Sequence, residues 1–170
     1  FVFAFGLLQT ERAALHANAD GYEELLARFP HCKATMRAPA LAENISSTGQ
    51  LTADTVCIGD IYRIGTGGVR VQVTQPRHPC AKNNFYHGDA EFRDFALHHG
   101  LAGWFYAVLE EGEIKVGDRI VLEKRIHPAW TVRRVMRVRH GEQPSQDIAA
   151  LRELDAMQEL TTYHFRDDAA

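Results

Sequence analysis

The sequence predicts a mainly β fold of short strands, with a few peripheral helices and a small helical module at its C-terminal end. Three observations carry that expectation. Val69, Val71 and Val73 alternate with Arg70, Gln72 and Thr74, the period of two of a half-buried strand. An apolar-Gly-Asp-strand pattern occurs at Gly59-Asp60 and again at Gly117-Asp118, as a barrel or sandwich of short strands would show. Residues 103–109 are apolar on both alternating faces, which suits a central or barrel strand containing Trp104.

Length and composition narrow the function classes. At 170 residues the chain suits one domain with a small appendage, able to bury roughly 70% of its unfolded surface without disulfide staples. A net charge of -3 gives no general reason to expect nucleic acid or an anionic membrane as partner. Positive charge is local instead, which points to a small anionic ligand. Cys32, Cys57 and Cys80 are an odd set without CxxC spacing. That argues against a disulfide framework or a structural zinc site and favours a reducing, cytoplasmic setting. No apolar run reaches the ~18 residues of a membrane span, and no signal peptide is visible. The chain opens on Phe1-Val2-Phe3-Ala4-Phe5 without an initiator methionine, so further elements are expected before Phe1.

In chain order, residues 1–7 read as a buried strand and residues 10–19 as a helix. Asp20 is placed to cap a second helix, with Tyr22, Leu25, Leu26 and Phe29 at i, i+3, i+4 and i+7 and Pro30 as its stop. His31-Cys32 follows in an expected exposed loop. Residues 39–52 are rich in loop formers. There Glu43-Asn44 either anchors a turn through backbone N–H groups or offers Asn44 to a ligand edge, and the residues alone leave both readings open. Cys57, between Val56 and Ile58, is expected to fill the core. Gly88-Asp89 begins a helix bearing Phe92, Phe95, Ala96 and His99, stopped by Gly100. His98 and His99 are adjacent, so they face different ways and mark a helix end rather than a metal site.

The stretch that organises the chain is residues 69–82, where Pro76 and Pro79 stop the ladder and Arg77, His78, Cys80 and Lys82 follow within a few residues. Cations stabilise a thiolate, the form that binds soft metals and attacks electrophiles. A buried, inert thiol is the competing reading of Cys80.

The character changes at His127-Pro128, which divides a strand-rich domain of residues 1–126 from a helical module of residues 127–170. Thr131 precedes Val132, Val135 and Met136 at helical spacing, with Gly141 as the stop. Ser145 is expected to cap a second helix carrying Ile148, Leu151 and Leu154, and a third spans residues 158–165. The arginines here are balanced by Asp147, Glu153, Asp155 and Glu159, so a counterion-release footprint for nucleic acid is not evident. An interaction module, with a homodimer among its outcomes, fits better.

The strings Glu43-Asn44-Ile45, Val56-Cys57-Ile58-Gly59-Asp60, Gln75-Pro76-Arg77-His78-Pro79-Cys80-Ala81-Lys82 and Gly103-Trp104, with Val108-Leu109-Glu110-Glu111-Gly112, resemble the MOSC (molybdenum cofactor sulfurase C-terminal) domain. The likeness is strongest to the branch related to the 6-N-hydroxylaminopurine resistance protein, whose C-terminal three-helix module the tail resembles. It implies a MOSC-type β-barrel and a molybdenum-molybdopterin cofactor ligated by Cys80. It also implies basic positions at Arg77 and Lys82, with Asn83 beside them, and a facing loop at Glu43-Asn44. The implied reaction reduces N-hydroxylated compounds, such as N-hydroxylated purine bases, to amines. Soft thiolate suits molybdenum, and Arg and Lys suit a cofactor phosphate as planar fork and point charge.

The chain departs from the family pattern at three places. Leu41-Ala42 stands where the family places Phe-Gly, Ala107 where it places Arg or Lys, and Leu101-Ala102 where it places a polar pair. No flavin or nicotinamide motif is present, so electrons are expected from a separate reductase. Two other functions compete. One is a non-catalytic molybdenum cofactor or sulfur carrier using Cys80. The other is a cysteine hydrolase with His78 or His87 as base, ranked last because Pro79 makes the pairing awkward.

Overall fold

The computed structural model describes residues 6–8, 14–140 and 150–151. Its eight strands are β1 (Gly6–Leu8), β2 (Ala14–Asn18), β3 (Ile45–Ser47), β4 (Ile61–Ile64), β5 (Val69–Pro76), β6 (Trp104–Glu110), β7 (Gly112–Ile114) and β8 (Ile120–Lys124). The helices are α1 (Gly21–Arg28), α2 (Lys82–His87), α3 (Phe92–His98) and α4 (Val132–Arg139), with a 3₁₀ turn at Pro30–Ala34. Six strands form a mixed sheet in the order β3-β2-β6-β5-β4-β8, curled into a half-barrel, while β1 pairs with β7. Only β2 and β3 run parallel within the large sheet.

The curl has a local cause. The long β5–β6 ladder shifts register between Arg70 and Val71 and again between Val73 and Gln75. Each shift adds a residue to one strand, which bends it and raises the local twist. On the concave side Val69, Val71, Val73, Tyr106 and Val108 form the main core with Ile58, Tyr62 and Ile64. Helix α4 contributes Val132, Val135, Met136 and Val138 to this same core, and the helical residue Leu151 joins them.

A second core lies under α1, the 3₁₀ turn and α3, where Leu25, Phe29, Cys32, Met36, Leu41 and Phe92 are buried together. The heptad-like spacing of Tyr22, Leu25 and Phe29 therefore does what the sequence predicts. Asp20 departs from its expected capping role. It makes no side-chain cap bond, and its carboxylate instead accepts the Gly49 N–H at 2.6 Å.

Both Gly-Asp units turn the chain through their carboxylates. Asp60 is fully buried and accepts from Cys57 N at 2.9 Å, Tyr62 Oη at 3.0 Å and the fork of Arg125 at 2.9 and 2.7 Å. Asp118 accepts from Lys115 N at 2.8 Å. Cys57 fills the core as expected, its Sγ 3.6 Å from the Pro128 carbonyl.

Three expectations need correction or restriction. Residues 14–18 are a strand rather than part of a helix, because Ala14, Leu15, His16 and Ala17 are all buried and the segment pairs with β3 and β6. Residues 30–34 are a 3₁₀ turn with Cys32 buried where His31-Cys32 was expected in an exposed loop, and the helix over residues 82–87 is an element the sequence did not announce. The strand expected over residues 1–7 is described only from Gly6, and the helices expected from Ser145 and over residues 158–165 lie outside the described residues apart from Ala150 and Leu151. Thr131 caps α4 as predicted, accepting from Arg134 N at 3.2 Å.

Candidate functional site

Strand β5 delivers the site. Its pairing with β6 runs to Pro76 opposite Trp104, and the Arg77 N–H adds one more bond, to the Gly103 carbonyl at 3.0 Å. Gly103 is required there: φ is +88°, and a Cβ on it would lie 2.1 Å from the His16 carbonyl oxygen. After this anchor, buried Pro79 stiffens the turn and leaves Cys80 exposed at its tip. The loop reading of Cys80 holds, and the buried-hydrophobe reading fails.

Helix α2 begins immediately afterwards and fixes the thiol's backbone. The Asn83 N–H and its side-chain Nδ2 both donate to the Cys80 carbonyl at 3.1 Å, and Nδ2 lies 4.0 Å from Cys80 Sγ. Asn83 is buried, and Lys82 is exposed on the first turn. The other end of α2 is pinned by His87. Its Nε2–H donates to the Ala40 carbonyl at 3.0 Å, so Nδ1 is the acceptor for the Thr35 hydroxyl at 2.8 Å. Burial lowers the His87 pKa, which keeps the ring neutral. Both of its nitrogens are occupied, so His87 is not free to act as base to Cys80; the His78 ring lies tilted against that of His140, with centroids 6.2 Å apart.

Arg77 is the site's buried cation. Only 8% of it is exposed, and its Nη1 donates to the Leu41 carbonyl. Burial lowers its pKa, opposed by the nearby Cys80, Glu43 and Tyr22 groups. The rest of its fork has no protein acceptor among the described residues. A half-used guanidinium beside an exposed thiol is ready for an oxyanion.

Glu43 holds the facing loop rather than facing outward. It is buried, and its carboxylate accepts from Tyr22 Oη, from Ser46 Oγ at 2.6 Å and from Leu41 N at 2.9 Å. Burial, followed by the bond to Glu43, drives the Tyr22 pKa upward. Asn44 accepts from Leu15 N at 2.8 Å and donates its own N–H to Leu15 O at 2.9 Å. Of the two readings left open, turn anchoring is what these bonds perform. Just before Glu43, Ala42 adopts φ +60°, the left-handed conformation that glycine would occupy without strain. The loop thus keeps a glycine's backbone shape with an alanine, and an exposed methyl group stands beside the Arg77 anchor.

Behind the site lies a polar group that the sequence did not reveal. His16 is fully buried, bonded to Tyr106 Oη at 2.9 Å and Ser47 Oγ at 2.6 Å, and its ring lies 4.5 Å from that of Trp104. Burial pushes its pKa down to about 3. Trp104 Nε1 is a buried donor without a protein acceptor among the described residues. Tyr22 lies 21 residues from Glu43, and Ser47 and Tyr106 lie 31 and 90 residues from His16, so no local pattern announces these pairs.

The donor set bears on what metal the site suits. Among the described residues no three His, Cys, Asp or Glu side chains converge on one point. A metal held by protein donors alone does not fit. One exposed thiol with a buried cation beside it does fit a metal whose other donors arrive on an anionic organic cofactor.

Residues 5–121 match the MOSC domain. The chain is a member of the MOSC domain family. It is similar to a protein named "Reductase" from Gibberella moniliformis (strain M3125 / FGSC 7600), 36% identical over 141 residues that cover 83% of this chain and 25% of that protein. It is similar to the protein YiiM of Escherichia coli (strain K12), 33% identical over 116 residues, 68% of this chain and 50% of the other. The MOSC chain therefore spans half or less of the length of these curated relatives. In structure it superposes on YiiM from Escherichia coli with a TM-score of 0.77 at 27% identity, covering 88% of this chain and 73% of that one. YiiM from Geobacillus stearothermophilus gives 0.77 at 26%, covering 90% and 78%. The expected fold is thereby established, and the family associates this chain with a molybdenum-cofactor-related role. Among the described residues no helix is long and apolar enough to cross a membrane.

Proposed function

We propose that this MOSC protein is a molybdenum-cofactor-dependent reductase of N-hydroxylated compounds, with Cys80 as the protein ligand of the metal. One observation carries the reading: a solitary exposed thiol, on a turn stiffened by proline, stands beside a buried arginine with donors to spare. The relative named "Reductase", 36% identical, supports an oxidoreductase over an inert binding domain.

Arg77 would hold the cofactor's phosphate with the part of its fork that Leu41 leaves unused, and exposed Lys82 would add a point charge. Asn83 keeps the Cys80 backbone fixed and places an amide donor near the sulfur. Glu43 and Asn44 act one step back, by holding the loop to which Arg77 is tied. When bound, molybdenum supplies two-electron chemistry at a centre able to take up oxygen. The overall change breaks the N–O bond of R–NHOH, consumes two electrons and two protons, and yields amine and water. A purine or similar planar base bearing the N–OH group is the proposed substrate class, and a separate reductase the proposed electron source.

Turnover of 6-N-hydroxylaminopurine with dithionite-reduced viologen, using protein from a cofactor-competent host, tests the reading. Amine formation that vanishes in Cys80→Ala is the expected result. Molybdenum bound without any turnover would point to the carrier role instead.

A further inference from the structure

Helix α2 carries more than the anchor for Cys80. Asn83 and His87, four residues apart, form its buried face. Phe85 lies two residues from each, about 200° around the helix, and so points outward. It is 86% exposed, and its neighbour Tyr86 is 61% exposed. Two aromatic rings left in water side by side mark a contact surface rather than an ordinary exposed residue. They follow the exposed thiol by five and six positions on an element bonded directly to its backbone.

The unpaired charge near these rings is positive. Lys82 is exposed on the first turn of α2. The 3₁₀ turn brings Lys33, because Cys32 Sγ donates to the His87 carbonyl at 3.3 Å and Thr35 bonds the His87 ring. Arg37 follows two residues after Thr35. None of these three cations has a carboxylate partner among the described residues. The acids nearby are engaged: Asp89 with His31 at 3.3 Å, Glu91 with Arg28 at 2.5 Å, Asp94 with Arg93 at 2.7 Å. The chain as a whole is net negative at -3, so this patch is a local inversion.

We propose that the Phe85–Tyr86 surface, rimmed by Lys33, Arg37 and Lys82, docks an acidic electron-carrier protein that reduces the centre at Cys80. The inference rests on the reductase reading, which needs two electrons per N–O bond from outside the chain. An outward helix face suits a protein surface, and an apolar centre with a charged rim suits the small, electrostatically steered contact of a transient redox pair.

The test uses the full chain with an acidic flavodoxin as probe and basic cytochrome c as its charge control. Calorimetry at low salt and at about 0.5 M salt reads the binding. Wild type is expected to bind flavodoxin, weakly and with strong salt dependence, and not to bind cytochrome c. Phe85→Ser and the double change Lys33→Glu, Arg37→Glu should each weaken flavodoxin binding about tenfold. The charge-reversed protein should gain cytochrome c. Flavodoxin-driven turnover should fall in step, while dithionite-driven turnover stays unchanged. The proposal is overturned if the variants bind flavodoxin as wild type does, if salt has no effect, or if sedimentation shows Phe85 burying itself against a second copy. Absence of dithionite-driven turnover would strike the reductase reading alone, because the binding pattern is read without it.

Discussion

The guanidinium of Arg77 donates to the backbone carbonyl of Leu41, which ties the segment carrying Cys80 to the loop ordered by Glu43. This bond is one of the links between the sheet and the second core, beside those of Asn44 to Leu15. It also explains why an arginine can be nearly buried: one part of its fork serves the fold while the remainder awaits an anion.

Replacing Arg77 with Lys keeps the charge and removes the fork. Such a change is expected to cost about 1–2 kcal/mol of stability and to weaken cofactor retention about tenfold, since one ammonium cannot serve Leu41 and a phosphate together. Denaturant unfolding and cofactor content after gel filtration would check both.

Glu43→Gln should be more damaging than its size suggests. The amide group would set a donor against one of three donors that the carboxylate now accepts, leaving a buried N–H or O–H unpaired. A loss of about 2–3 kcal/mol is expected, seen as a Tm drop of roughly 5–10 °C. Tyr22→Phe should cost only about 1 kcal/mol, because it removes a donor without stranding an N–H.

His16 sets a pH dependence of known sign. Its folded pKa of about 3 lies below the ordinary 6.5. The neutral ring's contribution is therefore complete above the unfolded pKa and is lost as pH falls toward the folded one. Within that window stability should decline by about 1.4 kcal/mol per pH unit on its account. His87, whose pKa is also lowered by burial, acts in the same direction. Chemical denaturation of His16→Gln between about pH 4 and 6 should show a slope shallower by about that amount.

Ala42→Gly relieves a left-handed alanine at φ +60°. The relief of about 1–2 kcal/mol is partly offset by the looser unfolded chain, leaving a net gain of about 0.5–1 kcal/mol in thermal unfolding. The same change removes the exposed methyl group beside the site, so altered preference among N-hydroxylated substrates of different bulk should accompany the gain.

Periodicity made some of this architecture readable in advance. The alternation of Val69, Val71 and Val73, the spacing of Tyr22, Leu25 and Phe29, and the cap at Thr131 each record a face that meets the core. The exposed Cys80 was legible because two prolines and several cations cannot all be buried in a strand. Residues 14–18 were misread because a strand buried on both sides loses its period of two. Helix α2 was missed because six mostly polar residues are too few to show a helical period. The bonds of Glu43 to Tyr22 and of His16 to Tyr106 depend on the finished fold, and nothing local marks them.

The most direct measurement is metal content. Wild type and Cys80→Ser should be purified side by side from a cofactor-competent host and analysed for molybdenum by elemental analysis. Near-stoichiometric metal in the wild type and its loss in the variant is the predicted result. Equal molybdenum in both proteins, or none in either, would contradict a metal centre built on Cys80.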